Sequence, residues 1–263
     1  MKKIEQFAEL HWAQLQQYLS CPKGSKDGRG RQAACNLEIF KALLYVLNTG
    51  CSWRSLPLHY PPYQTVYHRY RQWLSDGSLN RVLDVLYKSL KKQGVFDESC
   101  GSVDVTFVHA SNGGNAVGHG FKGKGSTVLV MVDGHGIPIG IHLVAANHPE
   151  VHAVQNLINF GMMIPPPPII AADKGFISDA LTEELAIQHD IEWVTPAKTN
   201  SKSSNLPDEK IVLKNRWKVE RFFAWMKKKR RLNVRYDRIV NVFMGWMKLY
   251  IATMLLTLEL NNI

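Results

Sequence analysis

The chain runs to 263 residues, 45% hydrophobic and 21% charged, which excludes intrinsic disorder and leaves room for one large domain or two small ones. Cys21, Cys35, Cys51 and Cys100 show no CxxC pair and no histidine at zinc-ligand spacing, so they read as unpaired thiols of a reducing compartment, not as a disulfide framework or a zinc site. The net charge of +10 is unevenly spread: residues 214–238 hold eleven Lys or Arg against Glu220 and Asp237, a local +9 of the kind that binds a polyanion.

In chain order, the opening segment MKKIEQFAELHWAQLQQYL carries two lysines but interrupts its apolar residues with acids and glutamines, so it is not a secretory signal. Residues 1–98 are patterned as helices. NLEIFKALLYVLN closes at Thr49-Gly50, a short SWRSL turn stops at Pro57, YQTVYHRYRQWL follows Pro61-Pro62, and SLNRVLDVLYKSLKK completes the set. Two readings of this small all-α N-terminal domain stay open. In one, Gln64, His68, Arg69 and Arg71 form the polar face that a helix-turn-helix variant lays on a DNA duplex. In the other, Val66, Tyr70 and Trp73 are the core of a plain helical bundle and the cations are solvated.

From residue 99 to 263, strand and helix signals alternate. SVDVTFV sets Val103, Val105 and Phe107 against Asp104, Thr106 and Val108, the period of a strand with a polar position on one face. NGGNAVGHGFKGKGS lacks Walker spacing and reads as a mobile loop. TVLVMVD and IPIGIHLVAA are strands joined by a turn that takes up Asp133. A helix near 151–162, four prolines at 165–168, a buried strand in PPIIAADKGF ending on Asp173, a helix over 178–189 and the strand IEWVTPA come next. The polar stretch KTNSKSSNLPDEK, with Lys198, Lys202 and Lys210, reads as an exposed loop, and the long helix RWKVERFFAWMKKKRRL follows it. Its Trp217, Phe222, Phe223 and Trp225 are read mainly as core, with Trp225 also open to base stacking. The apolar carboxyl end is interrupted by Lys248, and its unbroken run over 249–258 is ten residues. A membrane span needs about 20, so this is expected to be a buried core helix.

Three carboxylates carry the chemistry. At about 100° per residue, Arg216 lies about 40° and Lys227 about 20° from Glu220 on the helical wheel. A lone acid among cations is ordinarily a solvated pairing partner, yet here it repels the phosphate that the patch attracts unless a metal ion lies between them. Asp104 and Asp173 supply the remaining ligands if their strands are neighbours, about 4.8 Å apart, since the carboxyl ends of parallel strands open onto a ligand crevice. Mg²⁺ or Mn²⁺ fits such oxygen donors, and two ions about 3.5–4 Å apart suit an in-line phosphoryl displacement. The histidines at 109, 119, 135, 142, 148 and 152 form no H-E-x-x-H metalloprotease motif, and Ser111 and Ser126 lack a nucleophile elbow.

VDVTFVHAS, IIAADKGFISDAL, TPAKTNSK and RWKVERFFAWMKKKRRLNVRYDR resemble the catalytic core of DDE transposases of bacterial insertion sequences of the four/five type. GRGR near residue 28 and ALLYVLNTGCSWRSLP resemble that family's amino-terminal region, so the likeness runs from about residue 28 to the end. It implies an α/β, ribonuclease H-like catalytic domain over 99–263, a mixed five-stranded sheet with flanking helices, behind the helical domain of 1–98. It implies that Asp104, Asp173 and Glu220 are the metal-binding triad, and that Arg216 and Lys227 fill the Arg and Lys places of the Tyr-Arg-Glu-Lys signature, with Leu213 in the place of the Tyr. Expected DNA contacts are Arg216, Lys227, Lys228, Lys229, Arg230, Arg231, Arg69 and Arg71. The implied reaction is hydrolysis at an element's end followed by transfer of the freed 3′-hydroxyl to target DNA. Its partner is double-stranded DNA, the terminal inverted repeats and the target, handled in the bacterial cytoplasm by a homodimer or larger assembly and not at a membrane. A nuclease or resolvase that cuts without joining, and an inert DNA-binding regulator, are the alternatives.

Overall fold

The computed structural model describes residues 2–22, 32–197 and 205–261. Helices α1 (Lys2–Leu15), α2 (Asn36–Thr49), α3 (Tyr63–Ser75) and α4 (Ser78–Lys92) come first. Strands β1 (Gly101–Ala110), β2 (Gly118–Gly120), β3 (Gly123–Asp133) and β4 (Pro138–Ala145) follow, then α5 (Glu150–Asn156), β5 (Ile169–Ala171), α6 (Asp179–His189) and β6 (Glu192–Val194). The remaining helices are α7 (Pro207–Lys214), α8 (Trp217–Lys227), α9 (Arg230–Asn233) and α10 (Val240–Asn261). The chain divides into two compact units, Met1–Lys88 with Lys228–Ile263, and Ser89–Lys227. This differs from a single cut at residue 98, because α10 belongs with the amino-terminal helices.

In the helical unit, sequence punctuation sets the boundaries. Gly50, at φ +65°, closes α2 by donating its amide to the Val46 carbonyl at 2.8 Å, and Pro61-Pro62 precede α3. Val66, Tyr70 and Trp73 recur at helical spacing and are buried, as are Phe243, Trp246 and Ile251 of α10. The Tyr70 hydroxyl donates to the Val242 carbonyl at 2.7 Å, which fixes α3 against α10. By length and composition α10 could cross a membrane, but 61% of its most apolar window is buried within the protein. A hydrophobic core needs that stripe as much as a bilayer would.

The other unit is a mixed sheet. Its strands run β4-β3-β1-β5-β6, with β1, β3 and β4 antiparallel and β5 and β6 parallel to β1. Numbered as five successive strands, this is the order 3-2-1-4-5 of a ribonuclease H-like sheet, as the element order predicts. The stretch expected to be a loop contributes one more strand, β2, which pairs with the start of β3. Along β1 and β3 the residues alternate between two covered faces. Val103, Leu129 and Met131 join Ala153, Leu157, Phe176 and Trp193 in one core cluster. Asp104 pairs in register with Val130, so both point to the opposite face, and α8 packs on β1 and β3 with Val219, Phe222, Phe223 and Met226 buried. The long helix expected around Glu220 is interrupted: α7 stops before Asn215-Arg216, and α8 ends at Lys227, so the rest of the basic run is not on it.

Candidate active site

Asp104 is carried by a strand whose neighbours Val103 and Val105 pack to the core, leaving the carboxylate half-buried on the α8 face. Strand β5 lies beside β1 in parallel, Ser102 level with Ala171. Two residues further on, Asp104 and Asp173 leave adjacent strands at the same height, about 4.8 Å apart in strand spacing. Asp173 is extended and exposed, and opens the short turn Lys174–Phe176. Glu220 stands exposed in the first turn of α8. Arg216, in the turn just before it, donates from Nη1 to the Asp173 Oδ1 at 3.2 Å.

These charges sense one another. Burial pushes the Asp104 carboxyl above the usual carboxylate range, the Val105 amide and Arg216 pull it back, and Asp173 and Glu220 push it up again. A fourth acid, Glu150, joins them: burial raises its carboxyl and so do Asp104 and Asp173, while Lys122 opposes them. Glu150 was not singled out from the sequence, because an acid in the first turn of a helix is ordinary macrodipole compensation. A groove of ≈ 610 Å³ adjoins the acids, lined among others by Thr106, Phe107, Lys122, Glu220, Phe223 and Lys227.

The donors are all carboxylate oxygens, which suits a hard divalent cation in kind. Mutual repulsion among four acids, with Arg216 salt-bridged to one of them, is the electrostatic situation that such a cation relieves. Among the described residues, however, no three His, Cys, Asp or Glu side chains are gathered tightly enough to hold an ion. Asp104 Oδ1 accepts from its neighbouring Val105 amide at 2.7 Å, and Asp173 is turned to Arg216. Asp133 is not part of the group: it is buried and accepts from the amides of Ile137, Asp97 and His135, the turn role expected of it.

The expected DNA contacts divide by burial. Lys227, Lys228, Arg230 and Arg71 are exposed, Arg71 lying over the Tyr67 ring at 5.9 Å. Arg69 is buried and hydrogen-bonded to Asn36, because it shares the α3 stripe of Val66 and Trp73 at three and four residues' spacing. Arg231 is 3% exposed and pairs with both oxygens of Asp237, at 2.9 and 3.1 Å, with its guanidinium over the rings of Trp53, Tyr236 and Trp246. Lys229 is half-buried and donates to Asn48 Oδ1 at 2.7 Å. These three are internal bolts of the helical unit, contrary to their reading as phosphate contacts. Trp217 and Trp225, expected mainly in the core, are exposed on either side of Arg221, at 4.7 and 5.0 Å from its guanidinium. Lys210 is exposed on α7, whereas Lys198, Lys202 and the GRGR segment lie outside the described residues.

Two family models match the chain. A family model described as "Transposase DDE domain" matches residues 96–255, and one described as "Putative transposase of IS4/5 family" matches residues 8–83. The chain is 28% identical over 110 residues to the insertion element IS402 uncharacterized 16.2 kDa protein of Burkholderia cepacia, covering 41% of this chain and 75% of that one. It is 29% identical over 136 residues to a protein of the same organism described as "Putative transposase for insertion sequence element IS402", covering 48% of this chain and 60% of that one. Among solved structures, the piggyBac transposase synaptic complex with hairpin DNA is similar at a TM-score of 0.52 and 11% identity, covering 98% of this chain and 72% of that one.

Proposed function

The chain belongs to the DDE transposase family, and from that membership we propose that Asp104, Asp173 and Glu220 form one catalytic set that cuts DNA at the ends of an insertion sequence and joins them to target DNA. What supports the proposal is that Asp104 and Asp173 leave adjacent parallel strands at one level, and that Asp173 and Glu220 both raise the largely burial-shifted Asp104 carboxyl, with Glu220 lining a groove that also holds Lys122 and Lys227. Four negative groups in such a place oppose a polyanion. Their retention there makes chemical sense only if a cation mediates.

Family membership implies a divalent metal, which we propose to be Mg²⁺ or Mn²⁺, two ions in number, held by the three carboxylates. When bound, such ions lower the barrier to phosphoryl displacement by neutralising charge on the attacking and leaving oxygens. The residues themselves do the rest. Asp104 is fixed by its strand and half-shielded from water, Asp173 and Glu220 are exposed, and Arg216 pairs with Asp173 and orients it. Lys227 and Lys122, on the groove wall, neutralise the phosphates flanking the scissile bond. Water attack on the phosphodiester releases a 3′-hydroxyl and a 5′-phosphate. Attack of that hydroxyl on a target phosphodiester then exchanges one ester bond for another, with no side chain acting as covalent nucleophile.

On the helical unit, exposed Lys228, Arg230 and Arg71 are the further phosphate contacts of this reading. The partners proposed are the terminal repeats and the target duplex in the bacterial cytoplasm, with at least two copies of the chain at paired ends. The test is a plasmid bearing the element's ends, incubated with the full chain and Mg²⁺ or Mn²⁺. Nicking at the ends, and joining of a precut end to a second plasmid, are expected. Nicking without joining would reduce the protein to a nuclease, and specific binding without nicking to a regulator.

A further inference from the structure

The sequence G-H-G-F-K-G-K-G at 118–125 folds into a hairpin with a two-residue turn: Gly118 pairs with Gly125, His119 with Lys124 and Gly120 with Gly123. Alternation puts the four glycines on one side and His119 and Lys124 on the other. The glycine side is smooth for a reason. A Cβ on Gly118 would meet the Asn147 side chain, and one on Gly120 would lie 2.5 Å from the Ala146 carbonyl oxygen, so the hairpin lies flush on the segment following β4. At the turn stand Phe121, fully exposed, and Lys122, which lines the groove with Glu220 and Lys227. A large apolar ring wholly in water, at the tip of a braced hairpin with His119 before it, Lys122 beside it and Lys124 after it, packs against nothing in its own fold. The hairpin's own charges are Lys122 and Lys124, and Lys227 shares the groove with Lys122, so a partner that is anionic and offers an apolar slot suits it.

We infer that Phe121 is a DNA wedge, entering the base stack beside the phosphodiester to be cut and opening the pair there so that the strand reaches the acids. A duplex is the one polyanion whose interior is a stack of apolar faces, and inserted apolar side chains unstack single base steps in other DNA-binding folds. The flanking cations hold the backbone on either side while the ring goes in. This rests on the transposase reading above and adds a strand-positioning residue to it.

The probe is a duplex of the DNA end flanking the reading frame, with 2-aminopurine placed in turn at each position around the cut. With the wild-type chain and no divalent cation, fluorescence should rise several-fold at one or two adjacent positions. Phe121→Ala should keep DNA affinity within about threefold, since cations supply most of it, yet lose the fluorescence rise; Phe121→Leu should keep the rise. Cleavage by Phe121→Ala should fall about tenfold or more and recover on a duplex carrying a mismatch at the opened position, where no unstacking is needed. An unchanged fluorescence rise in Phe121→Ala, cleavage that the mismatch leaves depressed, or loss of self-association on sedimentation in place of a DNA defect would overturn the wedge. A wild-type chain that neither binds nor cuts the duplex would instead overturn the transposase reading, so the two failures are distinct.

Discussion

Asp104 combines two demands that pull in opposite directions. Burial and the neighbouring Asp173 and Glu220 raise its carboxyl pKa in the folded chain, so between the unfolded and folded pKa values the native state holds more protons. Its stability contribution is therefore present below about pH 4, the unfolded carboxylate value, and lost as pH rises through the folded one. In chelator at neutral pH, Asp104→Asn removes a buried charge and should leave the melting temperature equal or higher, while DNA cleavage is lost; a clear fall in melting temperature would contradict the electrostatic account. Arg216 is the converse case. Asp173 is half-exposed, so their ion pair contributes at most about 1 kcal/mol to folding. Arg216→Ala should lower cleavage about 10–100-fold, the range for losing a partner that orients a ligand, with thermal stability little changed.

At this scale sequence reading has a signal where chemistry is local and none where burial decides. Asp104 and Asp173 are legible because an acid in an otherwise apolar strand is conspicuous. Arg69 and Arg231 carry the same letter as exposed Arg230, and only packing separates a bolt from an exposed cation. Glu150 was not legible because what raises its carboxyl, burial first and then Asp104 and Asp173, lies in residues far from it in sequence.

Among elements, β1 with β5 and α8 with β1 and β3 do the positioning. The parallel register of Ser102 with Ala171 brings the two aspartates level, and one residue of slip would turn either acid to the other face of the sheet. Strand order was readable from alternation and from the helices between β5 and β6. The break of the basic helix was not, because Lys and Arg are good helix formers and their run contains no Gly or Pro. That break matters: it lets Arg231 turn inward to Asp237, with side-chain accessibilities of only 4% and 8%. Arg231→Ala leaves a buried carboxylate unpaired and should cost about 3–5 kcal/mol of stability. Lys228→Ala, on the exposed side of the same run, should leave the unfolding midpoint unchanged. Urea titration of both variants distinguishes the two, and equal effects would contradict the assignment.

For the whole molecule, the concentrated positive charge predicts a salt-dependent hold on DNA. Each exposed phosphate contact removed should flatten the slope of log affinity against log salt by about 0.9, so Lys227→Ala and Lys228→Ala should each do so, while Arg69→Lys should not. Filter binding between 50 and 200 mM salt is the range over which such slopes are read. Two-unit organisation was legible only in part. The helical and strand-bearing regions separate by pattern, but the return of α10 to the amino-terminal helices depends on the Tyr70 and Trp246 packing that no local signal announces.

The most direct measurement is cleavage of an end-bearing duplex by the wild type and by Asp104→Asn, Asp173→Asn and Glu220→Gln, with binding to the same duplex recorded in chelator. Each variant should bind within a few-fold of the wild type and lose cleavage to background at every Mg²⁺ and Mn²⁺ concentration, because three carboxylates acting as one set cannot work as two. Metal-dependent cleavage at near wild-type rate in any one of them would contradict that set.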